Sequence, residues 1–198
     1  MPTPSYDLYF KELADQDPQT VCNRALCGYD ETRSCYHLSM WGQDYAVFPG
    51  KSRIDRIGKN TLDPENFNYL FIIQYLLRAK EIGIQNQWIS EKDIPGGPTF
   101  FRGPHEIPTN LIVGRFGNDL DGFKQVCEQL NGTPIAMGDS AYRFQITPRI
   151  PVLVLYWIGD EDFPAEAKIL YDKTITDHLA SDIIFVLAVG VCNRIGKS

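Results

Sequence analysis

The sequence predicts an α+β fold: a single domain over residues 1–198 with a mixed or antiparallel sheet, a buried central helix and flanking helices. Three observations carry this. Residues Tyr69 to Leu77 are apolar on nearly every side of a helix, as expected where other elements enclose it. Tyr36–Met40, Asp44–Phe48 and Tyr142–Ile146 alternate as half-buried strands, and Val152–Ile158 is a continuous apolar run rich in β-branched and aromatic residues. The order of elements is helix pair, small sheet, central helix, helices, then sheet again, which lacks the strand–helix alternation of a doubly wound fold.

The elements follow in chain order. Tyr6, Tyr9, Phe10 and Leu13, after Pro4-Ser5, have the spacing of a short amphipathic helix. Asp17-Pro18 reads as an N-cap with proline at the first helical position, opening a helix that buries Val21, Ala25 and Leu26 and stops at Gly28. Residues 1–34 form this N-terminal helical segment. Trp41-Gly42-Gln43 joins the first two strands as a hairpin, and Arg53–Ile57 adds a third. Asp63-Pro64 starts the longest helix, which runs to about Glu81 and stops at Gly83. Trp88-Ile89 is a short strand, and Pro95-Gly96-Gly97-Pro98 is a rigid turn. Helices over Thr109–Phe116 and Asn118–Leu130 are stopped by Gly117 and Gly132. Ile169–Tyr171 is a further strand, Asp172 or Thr174 caps a helical turn toward His178, and Ser181 caps the last helix.

Composition restricts the function classes. The 198 residues are 43% hydrophobic and 22% charged, so disorder is not expected. A chain of this length buries roughly 70% of its unfolded surface and needs no disulfide staple. A net charge of -6 argues against nucleic acid and against an anionic membrane surface as partners. The start of the chain lacks a secretory pattern, and the ten-residue apolar run Ile183–Cys192 is about half a membrane span. The expected location is cytoplasmic. The odd cysteine count of five fits no disulfide framework.

The C-terminal third carries the most distinctive motifs. Pro148-Arg149-Ile150-Pro151-Val152 leads through Tyr156-Trp157-Ile158-Gly159-Asp160-Glu161-Asp162-Phe163-Pro164-Ala165 to Ile169-Leu170-Tyr171-Asp172. With Ile94-Pro95-Gly96-Gly97, Phe116-Gly117, Phe123, Leu130-Asn131-Gly132 and Gly138-Asp139 upstream, this resembles the domain of unknown function 3786 family. The likeness covers nearly the whole chain and is weakest before about residue 35. The resemblance implies a source among anaerobic bacteria or archaea and, in some relatives, an added iron–sulfur domain. This chain has no Cys-x2-Cys motif and so no iron–sulfur signature.

Several polar residues are candidates for chemistry. Asp160-Glu161-Asp162 follows the apolar strand and could bind a hard cation or supply a general base. The competing reading is a solvated turn, because neighbouring side chains on a strand point to opposite faces. Arg149, held between Pro148 and Pro151, could grip an anion bidentately, or pair with Asp139, Asp160 or Asp172. His105 sits beside a Gly/Pro-rich turn, and His37, His105 and His178 are each conceivable axial ligands to a tetrapyrrole metal. Cys22, Cys27, Cys35 and His37 have spacings x4, x7 and x1, which miss the tight pair a metal site prefers. Cys22 and Cys27 stand about 140° apart on a continuous helix. No metal ligand set is assigned. Cys127 and Cys192 fall on apolar helix faces and read as small packed hydrophobes. Trp157, Tyr156, Phe163, Phe100, Phe101 and Trp88 could wall a flat-ligand pocket or form an aromatic core. No phosphate loop and no nucleophile elbow is present.

The sequence therefore places a candidate site at the ends of the Val152–Trp157 strand. Its residues are Arg149, Asp139, Trp157, Asp160, Glu161 and Asp172, with Pro95-Gly96-Gly97 and His105 as neighbours. The expected function is an accessory protein of anaerobic metabolism that binds a small ligand, such as a tetrapyrrole or corrinoid, or docks on a redox partner protein. The alternatives are an enzyme with an acid–base site of Asp160, Glu161, Asp139 and Arg149, and a protein interaction module.

Overall fold

Helix α1 (Asp7–Ala14) buries Phe10 and Leu13 against the rest of the chain. In this computed structural model the residues described are 6–58, 61–62 and 66–197, so the expected helix starts at Pro4-Ser5 and Asp63-Pro64 lie outside them. Helix α2 (Pro18–Ala25) begins as expected, with the Asp17 carboxylate accepting the Thr20 N–H at 2.8 Å. Its end differs from the glycine stop. Leu26 takes the left-handed conformation (φ 50°) and is 52% exposed, while Gly28 already belongs to strand β1 (Gly28–Asp30).

The hairpin forms from β2 (Cys35–Met40) and β3 (Gln43–Phe48), joined by Trp41-Gly42, both at positive φ. Such a two-residue turn matches the right-handed strand twist. Trp41 is an unusual residue there, and its surroundings hold it. Its backbone N–H donates to the Ile146 carbonyl at 2.7 Å, its indole N–H donates to Leu130 O at 3.2 Å, and the Arg194 guanidinium lies 4.6 Å from the ring centroid. Strand β4 (Arg53–Arg56) completes an antiparallel sheet in the order β1-β2-β3-β4.

Helix α3 (Phe67–Arg78) is the buried central helix. Tyr69, Phe71, Ile72, Ile73, Tyr75, Leu76 and Leu77 are each at most 3% exposed. Tyr69 and Tyr75 hide their rings yet place their hydroxyls on the Ser52 and Ala25 carbonyls, at 2.9 and 2.8 Å. The helix ends at Arg78, short of the Glu81 expected, because Lys80 to Gln87 form an irregular segment tied down by tertiary hydrogen bonds. The longest helix among the described residues is instead α8, given below.

Strand β5 (Trp88–Ile89) and the one-turn helix α4 (Gly97–Phe100) precede helices α5 (Asn110–Phe116) and α6 (Leu120–Gln129). A side chain at Gly97 would overlap the Glu91 carbonyl, so this position requires glycine. Asp119 caps α6 through the Gly122 N–H at 2.9 Å. Strands β6 (Thr133–Ile135), β7 (Ser140–Thr147), β8 (Ile150–Trp157) and β9 (Glu166–Asp172) follow, and the second antiparallel sheet has the order β5-β9-β8-β7-β6. Helix α7 (Ile175–His178) and helix α8 (Ser181–Lys197) close the described chain. α8 packs on α3 and α5, and α3 also contacts α1 and α2. One hydrophobic cluster takes residues from both sheets and from α3 and α8, so a shared core lies between them. The α+β class and the antiparallel pairing agree with the sequence. No helix among the described residues is long and apolar enough to cross a membrane.

Candidate functional site

Strand β8 sets the geometry. Seven of its eight residues are buried, and it lies between β7 and β9 in the middle of its sheet. The polar residues that flank it divide between its two ends. An eight-residue strand is about 24 Å long at about 3.4 Å per step. Arg149 and Asp172 are at one end, since Val152 pairs with Tyr171. Asp139, Trp157, Asp160 and Glu161 are at the other. The structure does not bring Arg149 together with the acidic run.

At the Arg149 end, Arg149 and Asp172 chiefly serve the main chain. The Arg149 guanidinium donates to Arg24 O at 2.8 Å, Ile82 O at 2.9 Å and Asn23 O at 3.1 Å. Asn23 and Arg24 are in the last turn of α2, where carbonyls lack helical partners and carry the negative end of the dipole. These carbonyls, and not Asp139, Asp160 or Asp172, are the partners of Arg149. Asp172 is 2% exposed and accepts four hydrogen bonds. Its Oδ1 takes the Thr174 hydroxyl at 2.7 Å, the Thr174 N–H at 3.1 Å and the Gln85 N–H at 3.2 Å, and its Oδ2 takes the Asn86 N–H at 2.6 Å. Burial raises its pKa, but the hydrogen bonds from Thr174, Gln85 and Asn86 together outweigh burial and hold the carboxyl below its ordinary value. Arg149 and Asp172 thus fasten the irregular segment after α3.

His178, from α7, makes the third attachment. Its Nδ1 accepts the Lys80 N–H at 3.1 Å. Burial, and then the Arg149 cation, hold the imidazole below its ordinary value, with Lys80 adding to this and Asp177 and Asp172 opposing it. The neutral ring must then carry its proton on Nε2. That Nε2–H is buried and has no hydrogen-bond partner. His178 is 2% exposed and lines a cavity of about 420 Å³ together with Tyr9, Gln74, Arg78, Lys80 and Thr176. The tautomer is wrong for Nε2 metal ligation, which needs a lone pair on that nitrogen. A sequence reading sees His178 only as a histidine in a helical turn. Nothing in its neighbours in the chain shows the burial or the missing partner.

At the other end, Asp139 Oδ2 accepts the Ile158 N–H at 2.9 Å, and Asn118 exchanges two hydrogen bonds with Gly159, at 2.8 and 3.2 Å. Asp160 Oδ1 accepts the Asp162 and Phe163 N–H groups at 2.9 and 2.8 Å, closing a tight turn in which Asp160, Glu161 and Asp162 are all exposed. The acidic run is built as a solvated turn. Trp157 is half-buried, with the Lys168 ammonium 5.4 Å from its ring centroid, beside a small cluster of Ala141, Leu153 and Leu155 that Trp88 also joins. Tyr156 is wholly buried and stacks on Phe123, whereas Phe163 is 72% exposed. His105 is exposed and stacks on Phe100, at 4.6 Å between centroids, and meets Phe185 of α8 edge-on. The aromatic residues of the motif therefore do not wall one pocket.

Residues 17–194 match the profile of a family described as a domain of unknown function, number 3786. The chain belongs to that family. Domain of unknown function 3786 thus runs from the start of α2 into α8, ending three residues before that helix does, and leaves out α1. No curated protein and no solved structure shows a significant match.

Two cysteines form a second feature. Cys22 and Cys27 are free, with their sulfurs 3.8 Å apart. The 140° offset expected on a continuous helix does not apply, because the helix ends at Ala25. The left-handed Leu26 turns the chain back, and the Cys27 N–H donates to Cys22 O at 3.3 Å. Burial raises both thiols above their ordinary value. Cys127 and Cys192 are fully buried in the core, as their apolar faces led one to expect.

Proposed function

We propose that the protein binds a small molecule in the cavity beside His178, with a hydrogen-bond acceptor of the ligand on His178 Nε2–H. The observation that supports this is that His178, one of the residues lining a cavity of about 420 Å³, carries a buried ring N–H with no hydrogen-bond partner. Leaving such a donor unpaired costs about 1–3 kcal/mol, which a ligand acceptor would recover. Arg78 and Lys80 border the same space, as do Asp177 and Asp182, so the lining is balanced in charge, and a small carboxylate is the ligand class chosen because it supplies the acceptor that His178 Nε2–H lacks. Arg78 is already engaged by Glu12 at 2.7 Å, which leaves Lys80 as the freer charge. The accessory role in anaerobic metabolism expected from the family remains compatible with a ligand-binding protein. A tetrapyrrole or corrinoid would have to find its axial histidine at His37 or His105, since His178 presents a proton.

The test is histidine-selective nitrogen NMR during titration with acetate, succinate and benzoate. The expected result is a saturable shift of the His178 ring with at least one of them, abolished in His178→Phe. If none of the three moves that ring, the carboxylate reading fails. Parallel titrations with haem and cobalamin under anaerobic conditions address the tetrapyrrole version, which is removed if no spectral change occurs up to about 100 μM, a weak affinity.

A redox-accessory role is the second reading, favoured by the 3.8 Å sulfur separation of Cys22 and Cys27. With a partner's disulfide as oxidant, the two thiols would form one disulfide and yield two partner thiols, releasing two protons and two electrons to that partner. Both thiols are half-buried with raised pKa, so their thiolate fraction is small at neutral pH and exchange should be slow. Oxidised glutathione followed by intact-mass measurement should give a loss of two hydrogens that vanishes in Cys22→Ser. An unchanged mass after prolonged exposure would remove this reading.

A further inference from the structure

We propose that Asp30, Cys35 and His37 form a surface site for a divalent transition metal, with zinc as the preferred ion and one coordination position left open. The site is independent of the cavity at His178 and of the Cys22–Cys27 pair.

The β1–β2 pairing builds the site. Asp30 stands directly across from Cys35, and His37 is two residues further along β2 on the same face. The residue opposite His37 is Gly28, so no side chain stands across from the ring. One ligand atom from each of the three residues lies within 4.8 Å of the other two. Cys35 Sγ is 3.6 Å from His37 Nε2, and Asp30 Oδ2 is 4.0 Å from the same nitrogen. A tetrahedral zinc with Zn–S of about 2.3 Å and Zn–N of about 2.05 Å separates sulfur and nitrogen by about 3.6 Å. The observed thiol–imidazole distance already equals that edge. The carboxylate needs only a small rotation of its side chain to close.

Two further features suit the site to a metal. Asp30 Oδ1 accepts the Arg33 N–H at 3.0 Å, which orients the carboxylate from behind and leaves Oδ2 toward His37. The sulfur is fully buried beside Ala46 and Phe48, while the His37 and Asp30 side chains are 36% and 31% exposed. The metal would therefore rest on a rigid, dry floor and open to water on one side. A zinc ion with one thiolate and one carboxylate is neutral, the Cys35 proton leaving to solvent on binding. Arg33, Lys51 and Arg53 lie within 4.7 to 5.4 Å of the Phe48 ring; Arg53 is paired with Asp55 at 3.0 Å, which leaves Arg33 and Lys51 as the cations nearest the open position. The cysteine spacings alone did not reveal this group, because Cys35 and His37 sit two apart on one strand and Asp30 joins them only through the β1–β2 pairing.

Cobalt(II) titration of the reduced full-length chain, followed by zinc competition, tests the proposal. The expected result is one equivalent bound, with a thiolate-to-cobalt charge-transfer band that zinc displaces. Cys35→Ser should abolish the band, and His37→Ala and Asp30→Asn should each weaken binding by about ten- to hundredfold. His37 is partly exposed, so His37→Ala keeps the test valid if Cys35→Ser does not fold. Cys22→Ser/Cys27→Ser should bind cobalt like the wild type. A wild-type protein with no saturable binding overturns the proposal, as does a band that survives Cys35→Ser or is lost in the Cys22/Cys27 variant.

Discussion

Replacing Asp172 by Asn tests whether the family-like segment is built for folding. The carboxylate accepts three hydrogen bonds on Oδ1 and one, the shortest at 2.6 Å, on Oδ2 from the Asn86 N–H. An asparagine that keeps its carbonyl at Oδ1 must turn its NH2 toward Asn86 N–H, so donor faces donor. One charge-assisted bond is lost outright and three are weakened. With hydrogen bonds to charged groups contributing about 1.5–3 kcal/mol, the expected loss is about 2–4 kcal/mol. Asp172→Ala strands all four donors and should lose about 3–5 kcal/mol. In a chain of this length each kcal/mol lowers Tm by about 2–4 °C, so Asp172→Asn should melt about 4–16 °C earlier. Urea denaturation and calorimetry measure both quantities.

The pH dependence adds a sign. Asp172 has a folded pKa below its ordinary 3.8. Its stabilisation is therefore fully present above about 3.8 and is lost as pH falls through the folded value. Asparagine does not titrate, and a protonated Asp172 also offers fewer acceptor sites. The gap between wild type and Asp172→Asn should be constant near neutrality and narrow in acid. A variant within about 0.5 kcal/mol of wild type, which is the range of neutral surface changes, would refute the argument that these four bonds hold the Lys80–Gln87 segment.

Arg149→Met should lose about 3–5 kcal/mol by urea denaturation, because three carbonyls lose a charged donor, and Arg149→Lys should recover only part of it. His178 has a folded pKa below 6.5, so the unfolded state binds the extra proton and stability falls as pH drops below about 6.5 toward the folded value. His178→Gln should flatten that part of the stability-versus-pH curve, and an unchanged slope would assign it to other groups. Gly97→Ala should cost about 1–3 kcal/mol, read as a lower Tm, since the new methyl overlaps the Glu91 carbonyl.

Much of the fold was legible because local chemistry and tertiary structure agree. Asp17-Pro18 starts α2, and the two-residue turn at Trp41-Gly42 joins β2, whose burial alternates from Tyr36 to Met40, to β3, which is buried on both faces from Tyr45 to Phe48 instead of alternating. The apolar stretch of α3 is enclosed, and β8 is buried on both faces as its unbroken apolar run required. The misses have physical causes. Leu26 and Asn131 take left-handed conformations one or two residues before the glycines read as helix stops, because Cys27 and Gly132 donate back to carbonyls of the preceding turn. Strands β1 and β6 are three residues long, and β6 contains Pro134, so neither has enough alternation to detect; both stand at sheet edges, where proline is tolerated. α3 stops before Glu81 where His178, far away in the chain, takes the Lys80 N–H and Arg24 takes the Leu77 carbonyl, both groups that helix continuation would use, and Arg149 and Asp172 then hold the segment that follows.

The same distinction separates family signature from candidate function. In the segment from Pro148 to Asp172, Arg149 and Asp160 spend their hydrogen bonds on main-chain groups, Asp172 accepts three main-chain N–H groups and the Thr174 hydroxyl, and Asp139 serves the Ile158 N–H. Residues of that kind specify a backbone path, so they can mark a family without disclosing its chemistry. The groups that combine unused bonding capacity with open space or with one another lie off the motif: Nε2–H of His178, the adjoining thiols of Cys22 and Cys27, and the Asp30, Cys35 and His37 cluster. An unused polar atom is not enough by itself, for Tyr171 also buries an unpartnered hydroxyl but does not line the cavity at His178. His178 differs because open volume adjoins it, and the Asp30 cluster differs because three complementary ligands converge. If the motif residues act through the backbone, their loss should lower stability while leaving cobalt affinity at the hairpin unchanged. Loss of His37 should do the reverse. A motif variant that folds normally yet loses metal would break that separation and place the family signature back in the chemistry.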